Sequence, residues 1–132
     1  MTDAPPASKS AVVLIVDDDR PIANYVAAVV TEAGYSPVVA TRGQEALSLA
    51  RSQWPALLIT DLMLPFMGGG ALIAAIRALA AADHRPALPV ILITAAGARS
   101  AQSAGADAIL QKPFELADME ALLRRFLAPA ND

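Results

Sequence analysis

The chain has 132 residues, 55% of them hydrophobic, and no cysteine, which excludes disulfides, thiolate metal sites and cysteine nucleophiles. Ten Lys and Arg residues against 13 Asp and Glu residues give a net charge of −3, so we expect no nucleic acid binding by this chain alone. No stretch has the length and hydropathy of a membrane span or a signal peptide, so we expect one cytoplasmic domain that contacts no membrane.

Five short apolar runs alternate with segments of helical periodicity along the chain. The runs are rich in β-branched residues, which is typical of parallel strands covered on both faces. The predicted strands are residues 11–16, 37–40, 56–60, 90–94 and 108–110. The predicted helices are residues 22–33, 41–52, 72–80 and 116–127, with a weaker one over 98–104. Thr41 and Gln44 resemble a capping box at the start of the second helix.

This alternation predicts an α/β fold in which five strand–helix units, (βα)5, form an open, doubly wound parallel sheet with helices on both faces. The Pro-rich residues 1–10 and the short segment 129–132 are predicted to be flexible tails on a domain of residues 11–128. Ligands of such sheets bind outside the carboxyl ends of the strands, so the functional residues are expected at that edge.

Polar and charged residues stand at the ends of four predicted strands. Three consecutive acids follow the first strand, a fourth acid follows the third, and a hydroxyl and an ammonium group mark the fourth and fifth. These residues are Asp17, Asp18, Asp19, Asp61, Thr94 and Lys112. Asp19, which precedes Arg20 and Pro21, is interpreted as a helix N-cap.

The remaining acids, Asp17, Asp18 and Asp61, are expected to share one pocket if the first and third strands are neighbours. Carboxylates that lie so close raise one another's pKa unless a cation lies between them. Their oxygen ligands favour Mg²⁺ or Mn²⁺. Lys112 is one of only two lysines in the chain, and the compact charge of lysine suits a phosphoryl oxygen. The sequence therefore predicts a divalent-cation and phosphoryl site at this edge.

Four stretches of the sequence, in this order, resemble the receiver domain of two-component response regulators. They read VLIVDDDRPI, LLITDLMLPFMGG, PVILITA and GADAILQKPF, and the resemblance extends from about residue 12 to residue 126. It implies a flavodoxin-like, five-stranded sheet with the strand order 2-1-3-4-5.

The resemblance implies a chemical role for each acid. Asp61 is expected to be the phosphoacceptor, which attacks the phosphohistidine of a sensor histidine kinase or a histidine phosphotransfer protein. Asp17 and Asp18 match the acidic pair that holds Mg²⁺, together with Asp61 and the backbone carbonyl of Met63. The metal would neutralise the charge of the phosphoryl oxygens.

The resemblance also implies a switch. Thr94 matches the switch hydroxyl, Lys112 the lysine on the phosphoryl oxygens, and Pro113 the proline that follows this lysine through a cis peptide. Ile109 stands where the family commonly has an aromatic switch residue, and Asp107 is the one acid left of the usual pair before the fifth strand. The segment between the fourth and fifth strands is shorter than usual by about one helical turn.

Two other classes of function stay open. A receiver-like scaffold that binds partners without phosphorylation is favoured by the altered segment between the fourth and fifth strands, but not by the retained acids. A small phosphatase with an aspartate nucleophile is suggested by Asp17 and Asp19 in a D-x-D pattern, but it leaves Asp61 without a role. We expect no turnover of an external substrate, since a receiver catalyses only its own phosphorylation and dephosphorylation.

Met63 and Ala96, each two residues beyond a site residue, cannot orient a hydrolytic water, so we expect a persistent acyl phosphate. The run 68–70 of three glycines is interpreted as a flexible turn beside the site. Few residues follow the last predicted helix, so the chain is expected to be a stand-alone receiver or a receiver cut from a larger protein.

Overall fold

A computed structural model of the chain describes residues 11–95, 102 and 104–127. Its strands are β1 (Val12–Val16), β2 (Ser36–Ala40), β3 (Leu57–Asp61), β4 (Val90–Thr94) and β5 (Ala108–Gln111). Its helices within those residues are α1 (Arg20–Glu32), α2 (Gly43–Ser52), α3 (Gly69–Ala82) and α4 (Leu116–Phe126). The helix predicted over 98–104 and both predicted tails fall on residues that lie wholly or largely outside the described ranges.

All four strand pairings are parallel, and the strand order is β2-β1-β3-β4-β5, as predicted. The register pairs Val16 with Thr60 and Asp61 with Ile93, so β1, β3 and β4 end at the same edge. The α/β fold with an open, doubly wound sheet is confirmed. None of the helices in these described residues is long and apolar enough to span a membrane.

Two apolar clusters cover the two faces of the sheet, because successive side chains of a strand point to opposite faces. Leu14, Leu58 and Leu92 pack with the buried residues of α2 and α3. Ile15 and Ile59 pack with those of α1 and α4 on the other face. Burial on both faces explains why the strands read as continuous apolar runs rather than as alternating ones.

The termini of α1 follow the sequence prediction. Asp19 is the N-cap, and its carboxylate accepts a hydrogen bond from the backbone N–H of Ile22 at 3.3 Å. Pro21 lies in the first turn, where its missing N–H costs no hydrogen bond. Gly34 follows the helix with φ +97°, a conformation that glycine adopts without steric cost.

The predicted start of α2 is wrong in detail. The helix begins at Gly43 after Arg42, whose side chain makes no capping hydrogen bond. Glu45, not Gln44, reaches back to accept a hydrogen bond from the backbone N–H of Thr41 at 3.0 Å. This bond resembles the reciprocal half of a capping box, but it reaches the N–H of the residue before the N-cap, so the predicted capping box is not formed.

The interpretation of the glycine run as a flexible turn is also wrong. Gly68 is the N-cap of α3, and Gly69 and Gly70 form the first turn of that helix. A Cβ atom on Gly69 would lie 2.3 Å from the backbone oxygen of Asp61, a separation that no side chain tolerates. The glycine is required because the helix starts directly against the end of β3.

Asp107 fastens the amino ends of β4 and β5. Its Oδ2 accepts a hydrogen bond from the backbone N–H of Val90 at 2.8 Å and another from Arg77 of α3 at 3.2 Å.

A long-range hydrogen bond joins the last helix to β2: the hydroxyl of Tyr35 donates to the backbone oxygen of Leu127 at 2.5 Å. This bond ties the end of α4 to the start of β2.

Candidate functional site

The carboxyl ends of β1, β3 and β4 bring the predicted site residues to one edge of the sheet. Asp17 directly follows β1, and Asp61 and Thr94 are the last residues of β3 and β4. Asp17, Asp61 and Thr94 are 2%, 7% and 1% exposed, so three polar side chains are buried at this edge. Asp18, by contrast, is exposed.

Lys112 lies between the two buried acids. Its Nζ is 3.3 Å from Oδ2 of Asp61 and 3.4 Å from Oδ2 of Asp17. The backbone N–H of Lys112 donates to the backbone oxygen of Thr94 at 2.8 Å, which joins the loop after β5 to the end of β4. The peptide bond between Lys112 and Pro113 is cis, as the resemblance implied.

Backbone N–H groups orient the second oxygen of each buried acid. Oδ1 of Asp17 accepts a hydrogen bond from the N–H of Asp19 at 2.9 Å. Oδ1 of Asp61 accepts one from the N–H of Met63 at 3.3 Å. The main chain of Met63 therefore adjoins the carboxylate of Asp61, and the ligand role of its carbonyl stays a prediction.

Burial and charge shift the pKa of two of these groups. Burial raises the pKa of the Asp17 carboxyl above its ordinary value, and the nearby charge of Asp61 acts in the same direction. The N–H of Asp19 and the ammonium of Lys112 oppose that shift. Burial alone lowers the pKa of Lys112, but the two carboxylates outweigh it and raise the pKa overall. Lys112 is therefore an ammonium ion at neutral pH.

The three acids fit a hard divalent cation. One carboxylate oxygen each from Asp17, Asp18 and Asp61 lies within 4.8 Å of the other two. One lysine balances only part of the charge of three carboxylates, and Mg²⁺ is held in proteins by one or two carboxylates while it keeps several waters. The donor set and the uncompensated charge both suit Mg²⁺ or Mn²⁺.

A model of the response regulator receiver domain matches residues 13–124 of the chain. The chain belongs to the response regulator receiver domain family. It is a receiver domain of the kind used in two-component signal transduction, and the predicted family is confirmed.

Two curated relatives support this family assignment. The response regulator MprA of Mycolicibacterium vanbaalenii is 36% identical over 121 residues, which cover 86% of this chain and 50% of that protein. The phosphate regulon transcriptional regulatory protein PhoB of Escherichia coli is 32% identical over 121 residues, with 86% and 52% covered. The receiver domain thus spans about half the length of the curated relatives it matches.

Solved structures show the same fold. The chemotaxis protein CheY4 of Vibrio cholerae is similar at a TM-score of 0.78 and 28% identity, over 89% of this chain and 98% of that one. The signal receiver domain of a histidine kinase from Syntrophus aciditrophicus is similar at a TM-score of 0.79 and 28% identity, over 90% and 91%.

The receiver domain departs from the family's common pattern at Ile109. This residue lies in β5, where it pairs with Leu92 of β4, and it is 36% exposed. Ala96, whose side chain was predicted to be too short to hold a water, lies outside the described residues. The roles predicted for Thr94, Ile109 and Pro113 in switching stay predictions.

Sequence reasoning missed one exposed aromatic residue near the site. Phe66, in the loop between β3 and α3, is 90% exposed and has φ +67°, a conformation that favours glycine or asparagine. The guanidinium carbon of Arg42 lies 5.1 Å from the centre of its ring. Hydrophobic periodicity does not predict a positive φ in a loop, so the sequence offered no signal here beyond an exposed aromatic residue between Pro65 and Met67.

Phe66→Asn is expected to raise the free energy of unfolding by about 1 kcal/mol. Asparagine tolerates the left-handed conformation better than phenylalanine, which pays about 1–2 kcal/mol for it. The exposed contact with Arg42 offsets about 0.5 kcal/mol of this gain. Urea denaturation measures the change. Met63→Asn is the matched control, because Met63 is 69% exposed in the same loop without a positive φ, and an equal gain in both variants would contradict the strain at Phe66.

Proposed function

We propose that this receiver domain accepts a phosphoryl group on the carboxylate of Asp61 from a phosphohistidine of a sensor histidine kinase or a histidine phosphotransfer protein. The proposal rests above all on the placement of Lys112, whose ammonium contacts both Asp61 and Asp17 in a largely buried pocket. A carboxylate that must receive a negatively charged phosphoryl group needs such a cation beside it, because phosphoryl transfer depends on positioning and charge neutralisation.

Each residue of the site has a role in the transfer. A carboxylate oxygen of Asp61 forms the new bond to phosphorus, and the bond from phosphorus to the imidazole nitrogen breaks. The imidazole leaves with the electron pair and takes up a proton from solvent. Lys112 contacts the phosphoryl oxygens, and Asp17 and Asp18 hold Mg²⁺ together with Asp61. Bound Mg²⁺ supplies charge neutralisation for those oxygens.

Phosphorylation would then bias the surface near β4 and β5. It replaces the single negative charge of the carboxylate by the about −1.5 to −2 of a phosphoryl group, at the edge where Thr94, the buried end residue of β4, also lies. The hydrogen bond from the backbone N–H of Lys112 to the backbone oxygen of Thr94 joins the end of β4 to the loop after β5, so both segments respond to phosphorylation together. Ile109 offers an aliphatic side chain in β5 for this response, in the place of an aromatic one.

The competing phosphatase reading has little support. The carboxylate of Asp19 caps α1, so it is engaged in holding the helix rather than in acid–base chemistry. The scaffold alternative is disfavoured, because the acids and the lysine that phosphorylation needs adjoin one another.

Incubation with Mg²⁺ and phosphoramidate, followed by intact mass measurement, tests the proposal. The chain is expected to gain the mass of one phosphoryl group, and Asp61→Asn is expected to gain none. Asp83→Asn serves as the control, because Asp83 is an exposed acid at the end of α3, and it should be phosphorylated like the unchanged chain. An adduct on Asp61→Asn, or none on the unchanged chain, would refute the proposal.

We predict that the acyl phosphate persists for minutes or longer in the presence of Mg²⁺. Met63, which adjoins Asp61, has an exposed thioether side chain that cannot orient a water molecule for attack on phosphorus. Met63→Asn places an amide there and is expected to speed the loss of the phosphoryl group several-fold. The decay of the mass adduct after removal of phosphoramidate measures both rates, and loss within seconds from the unchanged chain would overturn the prediction.

A further inference from the structure

Thr60 is a polar residue in an apolar layer. It is fully buried at 0% exposure, and the three residues before it in β3 are Leu57, Leu58 and Ile59. Because strand side chains alternate, Thr60 shares a face with Leu58, which packs against α2 and α3. A hydroxyl group in such surroundings is costly unless it makes a hydrogen bond, so its partner is informative.

That partner is the backbone of the phosphoacceptor. The hydroxyl of Thr60 donates to the backbone oxygen of Asp61 at 3.0 Å. The same oxygen lies against Gly69, where a Cβ atom would approach it to 2.3 Å. The N–H of the next residue, Leu62, donates to the backbone oxygen of Ile93 at 3.0 Å. The peptide group between Asp61 and Leu62 is therefore held through both its oxygen and its N–H.

This peptide group sets where the loop after β3 starts. The backbone of Leu62 is fixed as well, because its oxygen accepts a hydrogen bond from the N–H of Gly69 at 2.9 Å. Met63 follows at once, and its N–H donates to the carboxylate of Asp61. A rotation of the Asp61–Leu62 peptide would move that N–H and change the direction of the carboxylate.

We propose that the hydroxyl of Thr60 is a positioning group for phosphoryl transfer, which holds the Asp61 backbone so that the carboxylate meets the incoming phosphorus in line. This inference rests on the proposed function of Asp61. Thr60 acts through the main chain of Asp61 and touches no reacting atom. Misplacement of a reacting group by about 1 Å can slow a reaction 100-fold, so the loss of one such restraint is expected to slow transfer about tenfold.

A packing role for Thr60 makes the opposite prediction about two substitutions. Thr60→Val keeps the shape and removes the hydroxyl, whereas Thr60→Ser keeps the hydroxyl and leaves a methyl-sized gap. If Thr60 only fills space, Val should serve as well as Thr, and Ser should be the impaired variant. If the hydroxyl positions Asp61, the order of phosphorylation rates is reversed.

The experiment follows the mass adduct over time at several phosphoramidate concentrations and a fixed Mg²⁺ concentration, and records each melting temperature. Thr60→Val is expected to lower the maximal rate about tenfold with an unchanged half-saturating phosphoramidate concentration. Thr60→Ser is expected to keep the rate within twofold, although its melting temperature falls by about 4 °C. Should Thr60→Val fail to fold, Thr60→Ala and Thr60→Ser form the same comparison, with the slower rate expected for Ala.

The possible outcomes separate the two proposals. A normal rate for Thr60→Val, or rates that follow the melting temperatures in both variants, would overturn the role of Thr60 and leave the proposed function intact. An unchanged chain that acquires no adduct would overturn the proposed function, and the role of Thr60 with it.

Discussion

Gly69→Ala is expected to lower the free energy of unfolding by about 3 kcal/mol, and to slow phosphorylation of the protein that remains folded. The new Cβ atom would lie 2.3 Å from the backbone oxygen of Asp61 and 2.9 Å from the Cα of Leu62. Both are main-chain atoms of β3 and its loop, so no side-chain rotation can relieve the overlap. Overpacking of this kind typically costs about 1–3 kcal/mol, and the short contact places Gly69 at the upper end.

Gly70→Ala is the matched control in the same turn of α3. Its Cβ atom would lie 3.6 Å from that of Ala104, an ordinary van der Waals contact. Alanine is favoured over glycine within a helix by about 0.5–1 kcal/mol, so Gly70→Ala should be neutral or slightly stabilising. Urea denaturation of both variants measures the difference. Similar stabilities for the two would contradict the close approach of α3 to Asp61.

Asp17→Asn is expected to stabilise the metal-free protein by about 1 kcal/mol and to slow phosphorylation about 100-fold. Burial raises the pKa of Asp17 in the folded chain. The folded chain therefore binds a proton more tightly there than the unfolded chain, and stability falls as the pH rises from about 4 through the folded-state pKa. At neutral pH the carboxylate is a net cost, which asparagine removes, and Lys112 is left paired with Asp61.

Thermal unfolding with and without Mg²⁺ tests this prediction. The unchanged chain should gain stability on addition of Mg²⁺, because a ligand of the folded state raises its melting temperature. Asp17→Asn should start from a higher melting temperature and gain little. Asp83→Asn, at an exposed position, should behave like the unchanged chain. A lower metal-free melting temperature for Asp17→Asn would mean that its bonds to Lys112 and Asp19 outweigh its burial.

Much of the fold could be predicted because buried parallel strands leave a plain signal. The run VILI that opens β4 is apolar throughout, since both faces of the sheet are covered. The helices are amphipathic, so their periodicity located them within a few residues. The meeting of Asp17, Asp61 and Lys112 was predictable too, because parallel strands end at one edge, and the resemblance to receivers supplied their chemistry.

The remainder could not be predicted because it depends on atomic separations between distant segments. The glycine run looked like a flexible turn, and only the proximity of the Asp61 backbone shows that Gly69 is a rigid contact. The threonine at the end of an apolar run carried no sign that its hydroxyl would bind the next carbonyl. The positive φ of Phe66 likewise follows from the course of the loop, which periodicity does not describe.

Asp61, and no other acid of the cluster, is expected to receive the phosphoryl group. Reduction of the phosphorylated chain with borohydride converts an aspartyl phosphate into homoserine, and peptide mass mapping then locates it. We predict homoserine at position 61, with Asp17, Asp18 and Asp19 unmodified. Homoserine at position 17, or an adduct that leaves Asp61 unmodified, would contradict the role of Asp61 as the phosphoacceptor.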